Sequence, residues 1–440
     1  NPHPYCMEQE IEVEFMLEDQ NWNMEVTTVK VRDENGNYVP AQNEKEDSMI
    51  HLDWRKRISF RASLKPMSMN RFDCELVRVP GAVRPIQDCC ENGKHFVFQN
   101  ERMEVLINKK TGLIDRFCVD GEELLNKDSG KILVYQDNED PWGMTVDGFY
   151  DRIGEFTAVS EEEANCFNGY PEQKLENVRL IENGDVRARV QVIMRQDASF
   201  AVITYTIPKK DTYVDIKIKM LSNDVNRMYK LSFDTAFNGA FKGQSAFGTE
   251  ESMLKEEKEV TYQKWCALTN GKKGFAVLNR GTYGGSAKDN ILNISLLRTP
   301  IYTAHPIGER PISDHDRCHD HIDIGEREFE YRLTGDMQRV DALAEMYNQR
   351  VFALAFFPPG YGEKKDTSVL LDSEEVILTA YKNVESGRLI RLFHSKAGKK
   401  RVTLAIEGKK FEISLNAYEV KTFIFDGTLL KETDMLGMTW

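Results

Sequence analysis

The densest group of chemically active side chains lies between positions 314 and 323. Its members are Asp314, His315, Asp316, Arg317, Cys318, His319, Asp320, His321 and Asp323. On a strand, His319, His321 and Asp323 would share one face, and Arg317 would join them. Two imidazoles and a carboxylate suit zinc or a non-haem metal. The alternative is a polar network in which the histidines satisfy backbone and carboxylate partners, or bond to sugar hydroxyls beside a groove.

A second polar cluster combines acids with an indole. It consists of Asp137, Asn138, Glu139, Asp140, Pro141 and Trp142. Carboxylates bind sugar hydroxyls and an indole covers the apolar face of a sugar ring, so the cluster favours a sugar site. Acids this close can also act as an acid/base pair. The alternative is an acidic surface loop in which Trp142 plugs the edge of a sandwich.

Arg298 is a third candidate, because it follows an apolar run and precedes Thr299-Pro300. A strand-end arginine can bind hydroxyls or carboxylates with its fork of donors. It can equally pair with Glu309 or Asp314 as part of the structure.

The elements that must position these residues are mainly strands. Apolar and charged residues alternate from Arg187 to Met194 and from Val214 to Met220, which predicts half-buried antiparallel strands. Asn-Gly pairs such as Asn183-Gly184 supply hairpin turns. The segment from Gln338 to Val351 has a helical period and predicts one amphipathic helix. The fold class is therefore all-β, with sheets packed as sandwiches.

Three units are predicted along the chain. A small N-terminal β domain covers residues 1–88, a large β-sandwich covers 89–357, and a small C-terminal β-sandwich covers 363–440. The prolines and glycines of the 358–362 segment read as a linker between the last two.

Composition excludes several functions. The net charge of −13 and the pI near 5.3 argue against nucleic acid, whose phosphates demand a basic surface. No apolar run approaches the ~20 residues that span a bilayer, so no membrane partner is expected. Phosphate-loop, dinucleotide, zinc-helix and serine-elbow motifs do not occur. The eight cysteines form no Cys-x-x-Cys pair, which favours buried or idle thiols of a reducing compartment, and the predicted location is the cytoplasm.

Five blocks, in order, resemble the C-terminal β-rich half of the family 38 α-mannosidases, and an Asn-Pro opening precedes them. They are Gln263-Lys264-Trp265, Leu278-Asn279 with Tyr283-Gly284-Gly285, Leu296 to Pro300, Asp323 to Tyr331, and Ser386 to Leu392. The opening corresponds to Asn1 to Tyr5, and the missing initiator Met predicts a piece of a longer or processed protein. The resemblance implies that the large unit is a supersandwich similar to galactose-mutarotase folds.

The resemblance also implies a division of labour. In that family the zinc, the nucleophilic Asp and the acid/base carboxylate belong to an N-terminal domain, whose motifs are not found in this sequence. The expected role is to dock on that catalytic domain and complete the rim of an α-mannoside site, with no catalytic residue and no metal in this chain. Homo-oligomer formation stays open. The rim candidates are Asp137, Asp140, Trp142, Arg298, Asp316, Arg317, His319, His321 and Asp323.

Two alternatives remain at this stage. One is a freestanding carbohydrate-binding protein, which would hold sugars without a partner domain. The other is a mutarotase-like epimerase, in which His305, His319 or His321 would act with a carboxylate across one concave sheet.

Overall fold

The computed structural model of the chain describes residues 1–44, 53–81, 90–138, 140–167, 174–252, 257–303, 317–356, 364 and 366–437. Over these residues the fold consists of antiparallel sheets and two short helices, so the predicted all-β sandwich class is confirmed. None of the helices in this part of the chain is long and apolar enough to cross a membrane.

The first unit is a pair of three-stranded sheets. Its strands are β1 (Met7–Asn21), β2 (Glu25–Arg32), β3 (Tyr38–Val39), β4 (Ala41–Glu44), β5 (Asp53–Leu64) and β6 (Asp73–Pro80). The sheet orders are β1-β5-β4 and β3-β2-β6. Alternate residues of β2 and β5, such as Val29, Val31, Ile58 and Phe60, are buried between the two sheets. The period-two pattern thus gives each sheet one apolar face.

The second unit begins with a five-stranded sheet of order β11-β10-β9-β8-β7. Its strands are β7 (Cys90–Glu91), β8 (His95–Gln99), β9 (Met103–Asn108), β10 (Ile114–Val119) and β11 (Glu122–Leu125). The predicted domain boundary near residue 88 falls outside the described residues.

The rest of this unit is built from two large sheets. In chain order its elements are β12 (Lys131–Gln136), β13 (Arg152–Glu155), β14 (Thr157–Ala158), α1 (Glu161–Asn165), β15 (Val178–Asn183), β16 (Arg187–Gln196), β17 (Ser199–Pro208), β18 (Tyr213–Ser222), β19 (Arg227–Asp234), β20 (Ala240–Ser245), β21 (Gly248–Ser252), β22 (Val260–Thr261), β23 (Trp265–Thr269), β24 (Gly274–Asn279), β25 (Gly284–Lys288), β26 (Ile291–Arg298) and β27 (Gly325–Thr334).

One sheet has ten strands and the other has six. The first runs β14-β16-β17-β18-β27-β24-β23-β20-β21, with β15 added beside β16. The second runs β13-β12-β19-β26-β25-β22. A continuous apolar core joins these two sheets and the five-stranded sheet, and it includes Phe117, Tyr205, Tyr229, Phe233 and Phe275. One face of the six-stranded sheet is buried in this core. The side chains on the opposite face are not part of the core and can form a site.

Helix α2 (Val340–Asn348) follows β27 and is shorter than the predicted 338–351 segment. Its apolar face packs on Trp265, which is buried. The Trp265 indole N–H donates to Asp341 Oδ1 over 2.9 Å, and the Lys396 ammonium donates to Asp341 Oδ2 over 3.0 Å. The helix therefore ties the second unit to the last one. The single-turn helix α1 was not predicted, and Ser160 caps it by accepting from the Glu163 N–H.

The last unit is a small sandwich of two sheets, β28-β31-β32 and β29-β30-β33-β34. Its strands are β28 (Val369–Leu371), β29 (Val376–Val384), β30 (Gly387–His394), β31 (Lys400–Ile406), β32 (Lys409–Leu415), β33 (Val420–Phe425) and β34 (Leu430–Thr433). The two sheets bury a separate core that includes Val376, Ile390, Leu404 and Phe425.

A buried group of charges, which we call the Arg187 cluster, joins the first unit to the second. The guanidinium of Arg187, 7% exposed, contacts Glu10, Glu12 and Glu44 of the first unit and lies 3.5 Å from Glu182. Arg57 and Arg189 bind the outer sides of Glu12 and Glu182, and the members are Glu10, Glu12, Glu44, Arg57, Glu182, Arg187 and Arg189. Among these seven described side chains, three guanidiniums face four carboxylates, which favours a proton on one of the acids.

Burial raises the pKa of two carboxylates of the cluster, Glu10 and Glu44. Burial raises the pKa of Glu44 to about 7, and although Arg187 opposes the shift, Glu182 and Glu12 reinforce it. The pKa in the folded state is thus above the unfolded value of 4.5. Its contribution to stability is therefore fully present below pH 4.5 and is lost as the pH rises through about 7.

We expect the free energy of unfolding to fall between pH 5 and pH 8 by up to about 1.4 kcal/mol per pH unit from this one proton. Glu44→Gln should flatten that slope, because the amide does not titrate. Urea unfolding at four pH values measures the difference between parent and variant, and Glu412→Gln, on the surface, is the matched control. Equal slopes in the parent and in Glu44→Gln would assign the titration elsewhere.

Candidate functional site

The outer face of the six-stranded sheet is covered by the loop that connects β12 to β13. Leu133, Tyr135 and Met228 point out of this face and pack against Phe149 and Val146 of the loop. The strand register aligns Lys230 with Ser295, so polar side chains from β19 and β26 also lie on this face. The loop and the sheet together enclose the region that holds Arg298.

Arg298 and Asp137 form the central ion pair of the site. The Arg298 Nε donates to Asp137 Oδ2 over 3.0 Å and Nη2 donates to Oδ1 over 2.7 Å. Nη2 also donates to the Asp140 carbonyl over 3.0 Å, and the guanidinium lies 5.0 Å from the centre of the Phe149 ring. Burial raises the pKa of Asp137, although Arg298 opposes the shift. The predicted arginine fork thus binds a carboxylate, and it anchors the loop to the end of β26.

Asp140 folds the loop back on itself. Its Oδ2 accepts from the Thr145 N–H over 2.6 Å and from the Thr145 hydroxyl over 2.9 Å. Burial raises its pKa, but hydrogen bonds from Thr145, Met144 and Val146 together outweigh burial, so the net shift of the pKa is downward. Asp140 Oδ1 is buried and has no hydrogen-bond partner among the described residues. Both acids of the predicted pair therefore hold the loop in place.

Trp142 lies at the surface of this loop. Its side chain is 63% exposed, and its indole N–H donates to the Thr303 carbonyl over 3.0 Å. The idea that Trp142 plugs a sandwich edge is therefore wrong. Tyr302, beside that carbonyl, is 64% exposed. One hydrogen bond thus holds two solvent-facing aromatic residues near the Arg298 end of the sheet.

The described residues 317–324 do not form a strand, so the predicted shared face of His319, His321 and Asp323 is wrong. His321 forms an isolated bridge with Ile301, and its Nδ1 hydrogen-bonds to the Thr299 carbonyl over 2.9 Å. Asp323 has a φ of +52°, which is a left-handed backbone conformation. Its carboxylate accepts a hydrogen bond from the Arg327 guanidinium. A left-handed residue breaks the alternation that the prediction assumed.

The remaining candidate residues of the sequence analysis fall into two groups, those that the structure describes and those that it does not. Arg317 is exposed and His319 is half-buried, and both interact with neighbours. Asp316, His305, Glu309 and Asp314 lie outside the described residues. Across the described part of the chain, no three His, Cys, Asp or Glu side chains converge as metal ligands. We therefore derive no metal-dependent step from these side chains.

Sequence reasoning missed three residues beside Arg298. The Lys230 ammonium is 1% exposed, contacts Glu259, and donates to Ser286 Oγ over 3.0 Å. The Ser295 hydroxyl donates to Glu259 Oε2 over 2.6 Å. The only sequence signal was Lys230 itself, a charge within the apolar run of β19, and that pattern is typical of a solvent-facing position.

Fold and site together define a multi-sandwich β protein with a polar, loop-covered sheet face. Residues 98–308 match the glycosyl hydrolases family 38 C-terminal domain. Alpha-mannosidase 2C1 of Mus musculus is 30% identical over 131 residues, which are 29% of this chain and 11% of that protein.

Two solved structures share the fold. An alpha-mannosidase from Enterococcus faecalis V583 has a TM-score of 0.67 at 13% identity, covering 96% of this chain and 55% of that one. A family 38 glycosyl hydrolase from Enterococcus faecalis has a TM-score of 0.68 at 14% identity, covering 96% and 57%. The chain thus spans little more than half the length of these solved relatives.

The resemblance of the sequence to the C-terminal β region of the family 38 glycosyl hydrolases is therefore confirmed over residues 98–308. The matched residues include the loop from Asp137 to Tyr150, the strand that ends at Arg298, and Glu259.

Proposed function

We propose that this chain is the β portion of a retaining α-mannosidase, that it docks on a zinc-bearing catalytic domain, and that it completes the rim of the sugar site. The match of residues 98–308 to the family 38 C-terminal domain carries the proposal. Hydrolysis in this scheme uses carboxylates and zinc of the catalytic domain. The β portion supplies shape and hydrogen bonds.

An apolar row supports docking. After α2, residues 351–356 form no helix or strand, and Val351 and Ala353 pack on the core of the first unit. The intervening side chains of Phe352, Leu354 and Phe356 are 82%, 60% and 72% exposed. Exposed apolar rows of this kind mark interaction surfaces, so we assign the row to the catalytic domain.

The loop from Asp137 to Trp142 and the segment after Arg298 support the rim. The buried Asp137–Arg298 pair fixes the base of the loop, and the Trp142–Thr303 hydrogen bond fixes its outer side. Tyr302 and Trp142 then present exposed rings that suit the apolar face of a sugar. A rigid loop of this kind holds its aromatic residues ready for a ligand at low entropic cost.

Zinc and location belong to the same proposal. The metal ligands would come from the catalytic domain, and the assembled enzyme would act on α-mannosides in the cytoplasm. The six cysteines whose side chains are described are free thiols, which suits a reducing compartment.

Replacing the apolar row tests docking. Phe352→Asp with Phe356→Asp should weaken association with the catalytic domain by at least about 30-fold, because each exposed ring would otherwise be desolvated at the interface. Titration of the labelled domain with the parent and variant chains measures the change. Met24→Asp, at a position that is 95% exposed on the first unit, is the matched control. Unchanged affinity in the double variant would place the interface on another surface.

A further inference from the structure

A pocket of ≈ 270 Å³ lies between the β12–β13 loop and the outer face of the six-stranded sheet. Its apolar wall includes Val146, Phe149, Met228 and Leu297. Its polar lining side chains are Glu259, Ser295 and Arg298. Pockets for drug-sized ligands start near 300 Å³, so this volume suits one small molecule or one unit of a larger one.

The charges around the pocket are already paired. Glu259 is bound by the Lys230 ammonium, and Arg298 is bound by Asp137. The Lys230 ammonium also lies 5.3 Å from the centre of the Tyr135 ring and 5.6 Å from the centre of the Phe149 ring. It therefore occupies the position over these rings that a cationic ligand would otherwise take. A charged ligand would add an uncompensated charge to a half-enclosed space, and this disfavours both anions and cations.

Hydrogen-bonding capacity remains after this pairing. Each oxygen of Glu259 has one described partner, Lys230 for Oε1 and Ser295 for Oε2, and the side chain is 22% exposed. A carboxylate has about four acceptor sites, so two hydroxyl donors can still bind. Arg298 Nη1 has no hydrogen bond among the described residues, so it can donate to a hydroxyl oxygen.

We infer that this pocket binds a neutral, polyhydroxylated ring of monosaccharide size, with Glu259 accepting from its hydroxyls and Arg298 donating to one. The apolar wall takes the C–H face of the ring. Lys230 and Ser295 are positioning residues, because they hold the two oxygens of Glu259. The choice of a mannoside as the ligand rests on the proposed function, whereas the pocket itself is a property of this chain.

Methyl α-mannoside is the probe, and the full chain with ¹³C-labelled methionine methyl groups is the reporter. Met228 lines the pocket, and Met228→Leu assigns its signal. We expect saturable shifts of the Met228 methyl with a Kd of about 1 mM, which is the range for a ligand of this size. Met144, 64% exposed on the loop surface, should shift much less.

Variants then locate the ligand. Glu259→Gln should weaken binding by about tenfold or more, and Ser295→Ala by about threefold. Ser295→Ala keeps the test valid if Glu259→Gln fails to fold. Trp22→Ala, which removes an exposed indole of the first unit far from the pocket in sequence, should leave the Kd unchanged.

Three results would overturn the inference. The first is no saturable shift at Met228 up to about 50 mM probe, well above the expected Kd. The second is loss of binding in Trp142→Ala with full binding in Ser295→Ala, which would place the sugar on the rim. The third is binding of mannose 6-phosphate but not of methyl α-mannoside, which would contradict a neutral ligand. None of them bears on docking, which the apolar-row variants test separately.

Discussion

Replacing Arg187 with methionine is expected to lower the free energy of unfolding by about 3–5 kcal/mol, the cost of leaving buried charges without their partner. Arg187 contacts Glu10, Glu12 and Glu44 with a side chain that is 7% exposed. Methionine keeps much of the volume but none of the five donors. The acids around the site hold the pKa of Arg187 above its usual value, so the charge is present at any working pH.

The loss should depend on pH. Without the guanidinium the remaining carboxylates take up protons in the folded state, so Arg187→Met should lose less stability near pH 5 than near pH 8. Urea unfolding of parent and variant at both pH values measures this difference. Arg401→Met removes an arginine that is 73% exposed and pairs with Glu412, and it should cost no more than about 1 kcal/mol. Equal small losses in the two variants would show that the Arg187 cluster does not hold the first two units together.

The fold class could be predicted because the strands carry their own signal. The alternation in β16 and β18 gives each strand one buried face, and the structure has both strands in the ten-stranded sheet. Helix α2 was predicted over residues 338–351 but covers Val340–Asn348, because the apolar periodicity of the sequence continues past the last hydrogen-bonded turn.

The site could be predicted only in part. Asp137 and Arg298 were both chosen, but their pairing joins residues 161 positions apart, which no local pattern encodes. The spacing of His319, His321 and Asp323 suggested one face, and the left-handed Asp323 removes it. Whether any of the rim candidates contacts a sugar stays a prediction.

The pocket was missed for a different reason. Glu259 ends a charged stretch of the sequence that gave no sign of a site, and Lys230 looks solvent-facing until the β12–β13 loop covers it. The polarity of a sheet face depends on what packs over it, and that is a tertiary property.

The largest effect is expected in catalysis. The described chain by itself should hydrolyse an aryl α-mannoside no faster than buffer, with or without added zinc. Retaining hydrolysis needs two carboxyl groups that flank the scissile bond, one free to attack and one free to donate a proton. Asp137 is bound by Arg298 and Asp140 by Thr145, so neither is available for those roles. Joined to the catalytic domain, the same chain should support turnover at least about 10⁶-fold above the uncatalysed rate.

The release of the aryl group is therefore the measurement that tests the account most directly. It compares the chain alone, the catalytic domain alone, and the two together, each with zinc. We predict turnover by the pair, and loss of that turnover when Phe352→Asp and Phe356→Asp prevent docking. Zinc-dependent turnover by the purified chain alone would contradict the account, because the reactive groups would then lie within this β region.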